Sequence, residues 1–139
     1  MRIVLDTNVL ISGLISRGSA PAELIEVWHS NRFTLITSRE QLLELRRVLN
    51  YPKIKKYIRP DQAKTLMDTI VSAAYLVPDI LPDVNVSTDP DDNLIIATAI
   101  AGNAHLLVSG DKSHLISLSE VQGIPICTPR NAIRMIQKD

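Results

Sequence analysis

The stretch Met1-Arg2-Ile3-Val4-Leu5-Asp6-Thr7-Asn8-Val9-Leu10 contains an apolar run, Ile3-Val4-Leu5, that stops abruptly at a carboxylate. Aliphatic and β-branched residues without alternation read as a strand buried on both faces. Asp6 then stands where that strand leaves the sheet, and in open α/β sheets ligands bind outside the carboxyl ends of the strands. The pattern recurs downstream, where Leu106-Leu107-Val108 runs into Ser109-Gly110-Asp111. Alone, Asp6 reads equally well as a turn or cap residue. The repetition points instead to two carboxylates at one edge of a common sheet.

Between these strands the chain alternates. Ala20-Pro21 opens a helix with Pro at its start and Leu24, Ile25, Val27 and Trp28 on one side. Phe33-Thr34-Leu35-Ile36 reads as a second strand, and Ser38 with Gln41 as the capping box of a helix carrying Leu42, Leu43, Leu45, Val48 and Leu49. Glu40 and Glu44 lie one turn apart on that helix, beside its apolar stripe, and periodicity does not choose between them. Pro60 opens a helix whose Ala63, Leu66, Met67, Ile70, Val71 and Ala74 follow the helical repeat of a core face. Tyr75-Leu76-Val77 forms a third strand, and Asp89-Pro90-Asp91-Asp92 starts a helix closed by Gly102. Ala104–Val108 is the fourth strand. Gly123–Cys127 is a last one, placed at the sheet edge by Pro125. Ala132, Ile133 and Ile136 line a terminal helix. The expected architecture is an α/β, doubly wound, mostly parallel sheet of four to five strands with helices on both faces, one domain over residues 1–139.

Composition narrows the function classes. Hydrophobic residues make up 45% of 139 residues, enough for a real core, and no apolar run approaches the roughly 20 residues of a membrane helix. The N-terminal run is not a secretory signal, and the single Cys127 reads as core; both fit a cytoplasmic setting. One Cys and three scattered His make no zinc-type cluster. Net charge is zero but segregated. Arg46 to Arg59 holds six basic residues and no acid, whereas Asp79 to Asp92 holds five acids and no Lys or Arg. In the basic stretch, Arg46, Arg47, Lys53, Lys55 and Lys56 interleave with Tyr51 and Tyr57, a composition suited to phosphate contacts and base stacking.

The acids carry the chemistry. Three carboxylates within Asp89–Asp92 are more than a helix cap requires, and they repel one another. Asp6, Glu44, Asp92 and Asp111, with Asp89 and Asp91 nearby, form a hard-oxygen set that selects Mg²⁺ or Mn²⁺. One or two such ions would relieve the mutual repulsion and supply phosphoryl chemistry. No Ser-His-Asp arrangement and no Gly-rich phosphate loop competes with this reading.

With these residues in view, the sequence resembles PIN-domain proteins of the group described as toxins of toxin–antitoxin pairs. The anchors are Leu5-Asp6-Thr7-Asn8-Val9-Leu10, Leu42-Leu43-Glu44-Leu45 with Pro52-Lys53, Asp89-Pro90-Asp91-Asp92-Asn93 and Val108-Ser109-Gly110-Asp111, in that order over nearly the whole chain. The resemblance implies a metal-dependent endoribonuclease acting on single-stranded RNA, often a homodimer and silenced by an antitoxin protein. It implies catalytic roles for Asp6, Glu44 rather than Glu40, Asp92 and Asp111, with Asp6, Asp92 and Asp111 on the metal. Asn8 and Ser109 match positions that brace the acids, and Asp89 and Asp91 match a variable acidic surround.

Other readings remain at this stage. A haloacid-dehalogenase-like phosphatase also begins with a strand ending in Asp, but it wants a second Asp where Asn8 stands. A receiver-like binding module would need its acceptor Asp on a middle strand. A catalytically silent RNA-binding PIN domain would not need so complete a set of acids.

Overall fold

The computed structural model describes residues 1–80, 86–110 and 113–138. Strand β1 (Arg2–Leu5) leads directly into helix α1 (Thr7–Ile15), followed by α2 (Ala20–His29), β2 (Thr34–Ser38), α3 (Arg39–Leu49), the short α4 (Pro52–Lys55), α5 (Pro60–Ala73) and β3 (Tyr75–Val77). Then come α6 (Pro90–Ala101), β4 (Leu106–Val108), α7 (His114–Leu118), β5 (Glu120–Val121), β6 (Ile124–Cys127) and α8 (Pro129–Gln137). The strands lie in the order β3-β2-β1-β4-β6-β5, all parallel except β5 against β6. Strand order therefore reverses between β1 and β4, the place where such sheets open a crevice at their carboxyl edge.

Burial on both faces fits the unalternating strands. Ile3 and Leu5 pack with Leu24, Trp28, Leu45, Leu66 and Ile133 on one side of the sheet. Val4, Ile36 and Leu107 pack with Ile95, Ile96 and Leu115 on the other. Helix α6 approaches the second face closely at its end, where a Cβ on Gly102 would sit 2.5 Å from Ile36 Cγ2. Among the described residues no helix is long and apolar enough to cross a membrane.

The structure corrects several sequence expectations. Among the described residues the sheet has six strands, and β6 is not its edge: the two-residue β5 lies outside it, with Glu120 opposite Pro125. The hairpin turns on Gln122 and Gly123, both at positive φ (47° and 80°), the conformation of a two-residue primed turn. Gln is an uncommon first residue there, so the turn carries a weak sequence signal. Val71 is 67% exposed and Leu43 is 53% exposed, although both belong to the apolar pattern. Helix α5 buries the narrower stripe of Leu66 and Ile70. Helix α3 is rotated so that Gln41, Glu44, Leu45 and Leu49 face inward. It thus buries two polar side chains while leaving a leucine in water, a cost that a purely structural helix would avoid.

Candidate active site

Asp6 is the residue at which β1 becomes α1. Its N–H donates to Val108 O on β4 (2.9 Å), and its own carbonyl accepts from Val9 N (2.9 Å), so the turn is held from both sides. The side chain is buried, and its Oδ2 accepts from the Ser109 hydroxyl at 2.8 Å. Burial raises the Asp6 pKa above the usual carboxylate value; the Ser109 hydroxyl and the N–H groups of Asn8 and Thr7 oppose that shift, while the charge of Asp92 adds to it. The geometry that brings Ser109 to Asp6 is the parallel pairing of β1 with β4, which sets Leu5 beside Val108.

Glu44 comes from α3 on the other flank of β1. It is 6% exposed, and Thr7 Oγ1 donates to its Oε1. Burial pushes its pKa from the ordinary value near 4.5 up to about 7, opposed by the Thr7 hydrogen bond and reinforced by Asp91 and Asp6. Beneath it, Gln41 joins three elements: its Nε2 donates to Leu5 O (2.6 Å), and its Oε1 accepts from Thr37 Oγ1 (2.8 Å). Ser38 caps α3 through Gln41 N (3.1 Å) and shares a hydrogen bond with Thr98 of α6 (2.8 Å). A buried polar layer thus fixes β1, α3 and α6 relative to one another.

Asp92 is supplied by the first turn of α6. Asp89 caps that helix by accepting from Asp91 N (2.9 Å). Asn93 holds the preceding segment through its Oδ1, which accepts from Val86 N (3.0 Å) and Ser87 N (2.9 Å). Ser87 Oγ then donates to Asp92 Oδ2 (3.1 Å). The Asp92 pKa is raised by burial first and by the charges of Asp89 and Asp91; Ser87 and His114 oppose the rise. Asp91 is exposed and lies 3.7 Å from the Arg47 guanidinium. Both partners are open to solvent, so the ion pair contributes little to stability.

Asp6 therefore feels the charge of Asp92, Glu44 those of Asp91 and Asp6, and Asp92 that of Asp91. Asp111 lies outside the described residues. Among the described residues no three His, Cys, Asp or Glu side chains lie close enough together to hold an ion. The chemistry of the donors nevertheless fits a hard divalent cation: oxygen ligands only, with the buried carboxyls of Asp6 and Glu44 in no ion pair among the described residues. The Asn8 side chain, expected to brace the acids, is exposed, and the residue acts through its backbone N–H. Thr7 does the bracing of Glu44. Asp89 is occupied as a cap. Arg46, Arg47, Lys53, Lys55 and Lys56 are all exposed. Sequence reasoning passed over Thr7, Gln41, Ser87, Asn93 and His114. Only the Ser38–Gln41 capping pair hinted that Gln41 was more than a surface amide.

The Glu44 environment predicts a pH-dependent cost. The folded pKa is the higher one, so the folded state holds the proton more tightly than the unfolded chain does. Stability from this group is therefore present at low pH and falls as pH rises from about 4.5 through about 7. In the presence of EDTA, Glu44→Gln is expected to match the native protein's melting temperature near the bottom of that window and to exceed it by roughly 3–6 °C above the window. Melting curves at both ends check this; a constant difference would contradict it.

The PIN domain family profile matches residues 2–113, a span containing Asp6, Glu44, Asp92 and Asp111. The chain belongs to the PIN domain family. This PIN domain is 30% identical over 120 residues to the uncharacterized protein MJ1680 of Methanocaldococcus jannaschii, covering 86% of this chain and 76% of that protein. Its fold is similar to a chain in the crystal structure of VapBC2 from Rickettsia felis bound to a DNA fragment from their promoter. The TM-score is 0.59 at 18% identity, over 92% of this chain and 98% of that chain. At that identity the likeness is one of fold.

Proposed function

We propose that residues 1–139 form a single PIN nuclease domain, a metal-dependent endoribonuclease for single-stranded RNA that serves as the toxin of a toxin–antitoxin pair. The observation that supports the reading is that Glu44 and Asp92, both remote from Asp6 in sequence, are linked to it through their charges in a chain with a PIN fold. In this proposal Asp6, Asp92 and Asp111 hold Mg²⁺ or Mn²⁺, as one ion or two, and Glu44 completes the shell directly or through water. The bound cation supplies charge neutralisation at the phosphate and lowers the pKa of a water.

The chain's own residues do the rest. Ser109 and Thr7 fix the rotamers of Asp6 and Glu44 by hydrogen bonds, so the carboxylates need not reorganise during reaction. In this proposal Glu44, where it reaches the ion through water, takes a proton from the attacking water. In-line hydrolysis forms a P–O bond to that water and breaks P–O3′; O3′ takes a proton from solvent, leaving a 5′-phosphate and a 3′-hydroxyl. Arg47 and the exposed lysines of α4 offer contacts to the phosphate backbone. A homodimer and an antitoxin partner belong to the same proposal and rest on the family resemblance. Family membership and Asn8 both disfavour the phosphatase alternative.

The test is a cleavage assay on labelled single-stranded RNA. Cutting is expected with Mg²⁺ or Mn²⁺, none with EDTA, and recovery on adding excess metal. Metal-independent cutting, or binding without cutting under every metal, would refute the nuclease reading.

A further inference from the structure

Asn93 follows Asp92 directly and turns its amide onto the chain that enters α6. Its Oδ1 accepts from Val86 N (3.0 Å) and Ser87 N (2.9 Å), and its Nδ2 donates to Ser87 O (2.8 Å). Two N–H donors on one side and a carbonyl on the other fix which end of the amide is which. Both backbone polar groups of Ser87 are thus held by one side chain. The Ser87 hydroxyl then has a defined place: it accepts from Asp89 N (3.0 Å) and donates to Asp92 Oδ2 (3.1 Å). Helix α6 has other means of starting and of docking. Asp89 caps it by accepting from Asp91 N (2.9 Å), Pro90 stands in its first turn, and Ile95, Ile96 and Ala99 are buried. The hydrogen bonds of the Asn93 amide act on the incoming segment, and they end at the Asp92 carboxyl.

We propose that Asn93 is a positioning residue for Asp92, holding that carboxylate in one orientation for a cation by way of the Ser87 hydroxyl. This role rests on the proposed function of Asp92 as a metal ligand and names the pair of side chains that aims the ligand. The other two acids carry the same device: the Ser109 hydroxyl donates to Asp6 Oδ2, and the Thr7 hydroxyl donates to Glu44 Oε1. Each acid therefore receives one hydroxyl on one oxygen. For Asp92 that leaves Oδ1 and a lone pair of Oδ2 for an ion. Asp92 and Ser87 also line a depression of about 480 Å³ together with His114, so the braced carboxyl is open to an ion from outside. A ligating carboxylate whose rotamer is already fixed by a neighbour need not be ordered on binding, and loss of such a partner typically costs about 10–100-fold in metal affinity or activity. The amide is matched to its task. Asn93→Asp would keep the acceptor but lose the donor to Ser87 O, and Asn93→Ala would release Ser87 from both contacts.

Calorimetric titration of the full chain with Mn²⁺ alone, without RNA, separates positioning from chemistry. Asn93→Ala and Ser87→Ala are each expected to weaken Mn²⁺ binding about tenfold. Ser87→Thr, which keeps the hydroxyl, should bind Mn²⁺ as tightly as the native chain. The double variant should bind no more weakly than Asn93→Ala by itself, because both changes remove the same hydrogen bond to Asp92. A role confined to stability gives a different pattern: a lower melting temperature in EDTA, losses that add between the two positions, and native Mn²⁺ affinity in whatever remains folded. In cleavage, each single variant should lower kcat at nearly unchanged KM for RNA. Far-UV circular dichroism checks folding; if Asn93→Ala does not fold, Ser87→Ala and Ser87→Thr, which leave the Asn93 contacts to the backbone intact, decide. Native Mn²⁺ affinity in folded Ser87→Ala or Asn93→Ala, additive losses in the double variant, or no Mn²⁺ binding by the native chain would overturn this role. If Mn²⁺ affinity follows the expected pattern and no RNA is cut under any metal, the positioning role stands and the nuclease reading falls.

Discussion

Asp6→Asn is expected to remain folded and to lose RNA cleavage by at least on the order of 10²–10³-fold, the size of effect seen when a preorganised electrostatic group is removed from a reacting centre. The two halves of this expectation have separate physical origins. Asn keeps an oxygen to accept from Ser109 Oγ, so the β1–β4 junction retains its side-chain hydrogen bond. Burial already disfavours the ionised Asp6, so removing its charge relieves a cost in the metal-free fold. The melting temperature in EDTA should therefore stay level or rise. Divalent-cation affinity, measured by titration calorimetry, should drop together with activity, because a hard cation loses an anionic ligand. A folded Asp6→Asn protein that cleaves at the native rate would remove Asp6 from the mechanism.

Gln41→Met is expected to be the largest single loss of stability among the site-forming residues, about 2–3 kcal/mol. Gln41 is 2% exposed and so offers a substrate almost no surface. Its amide is the partner of Leu5 O and of the Thr37 hydroxyl. Met fills similar space but strands both polar groups in a low-dielectric interior, where an unsatisfied group costs far more than a made hydrogen bond contributes. Leu5 O belongs to the residue immediately before Asp6, so β1 loses its tether just where it presents the carboxylate. Denaturant unfolding reports the stability loss. Below the melting transition, cleavage should show a reduced kcat at nearly unchanged KM, because the lysines of α4 proposed to meet the RNA backbone are untouched. Gln41→Glu should not rescue, since it replaces the donor to Leu5 O by a carboxylate. Equal stability of native and Gln41→Met proteins would mean the layer is not structural.

Hydrophobic patterning determined the architecture from sequence alone. Ile3-Val4-Leu5 and Leu106-Leu107-Val108 are apolar at every position, which only a strand covered on both faces can satisfy, and each ends where a carboxylate or its bracing serine must leave the sheet. Proline and capping residues marked the helix starts at Ala20, Pro60 and Pro90 for equally local reasons. What only the tertiary structure decided were the facts that depend on rotation and register. Periodicity set Glu44 beside an apolar stripe; packing turned α3 until Glu44 and Gln41 pointed inward and Leu43 outward. The pairing of β1 with β4 brought Ser109 to Asp6, and the start of α1 brought Thr7 to Glu44. Likewise Gln122 and Gly123 folded back a strand with too little sequence of its own to announce it. Local preference is written residue by residue, whereas the pKa of a buried carboxyl and the partner of a buried amide are set by neighbours distant along the chain.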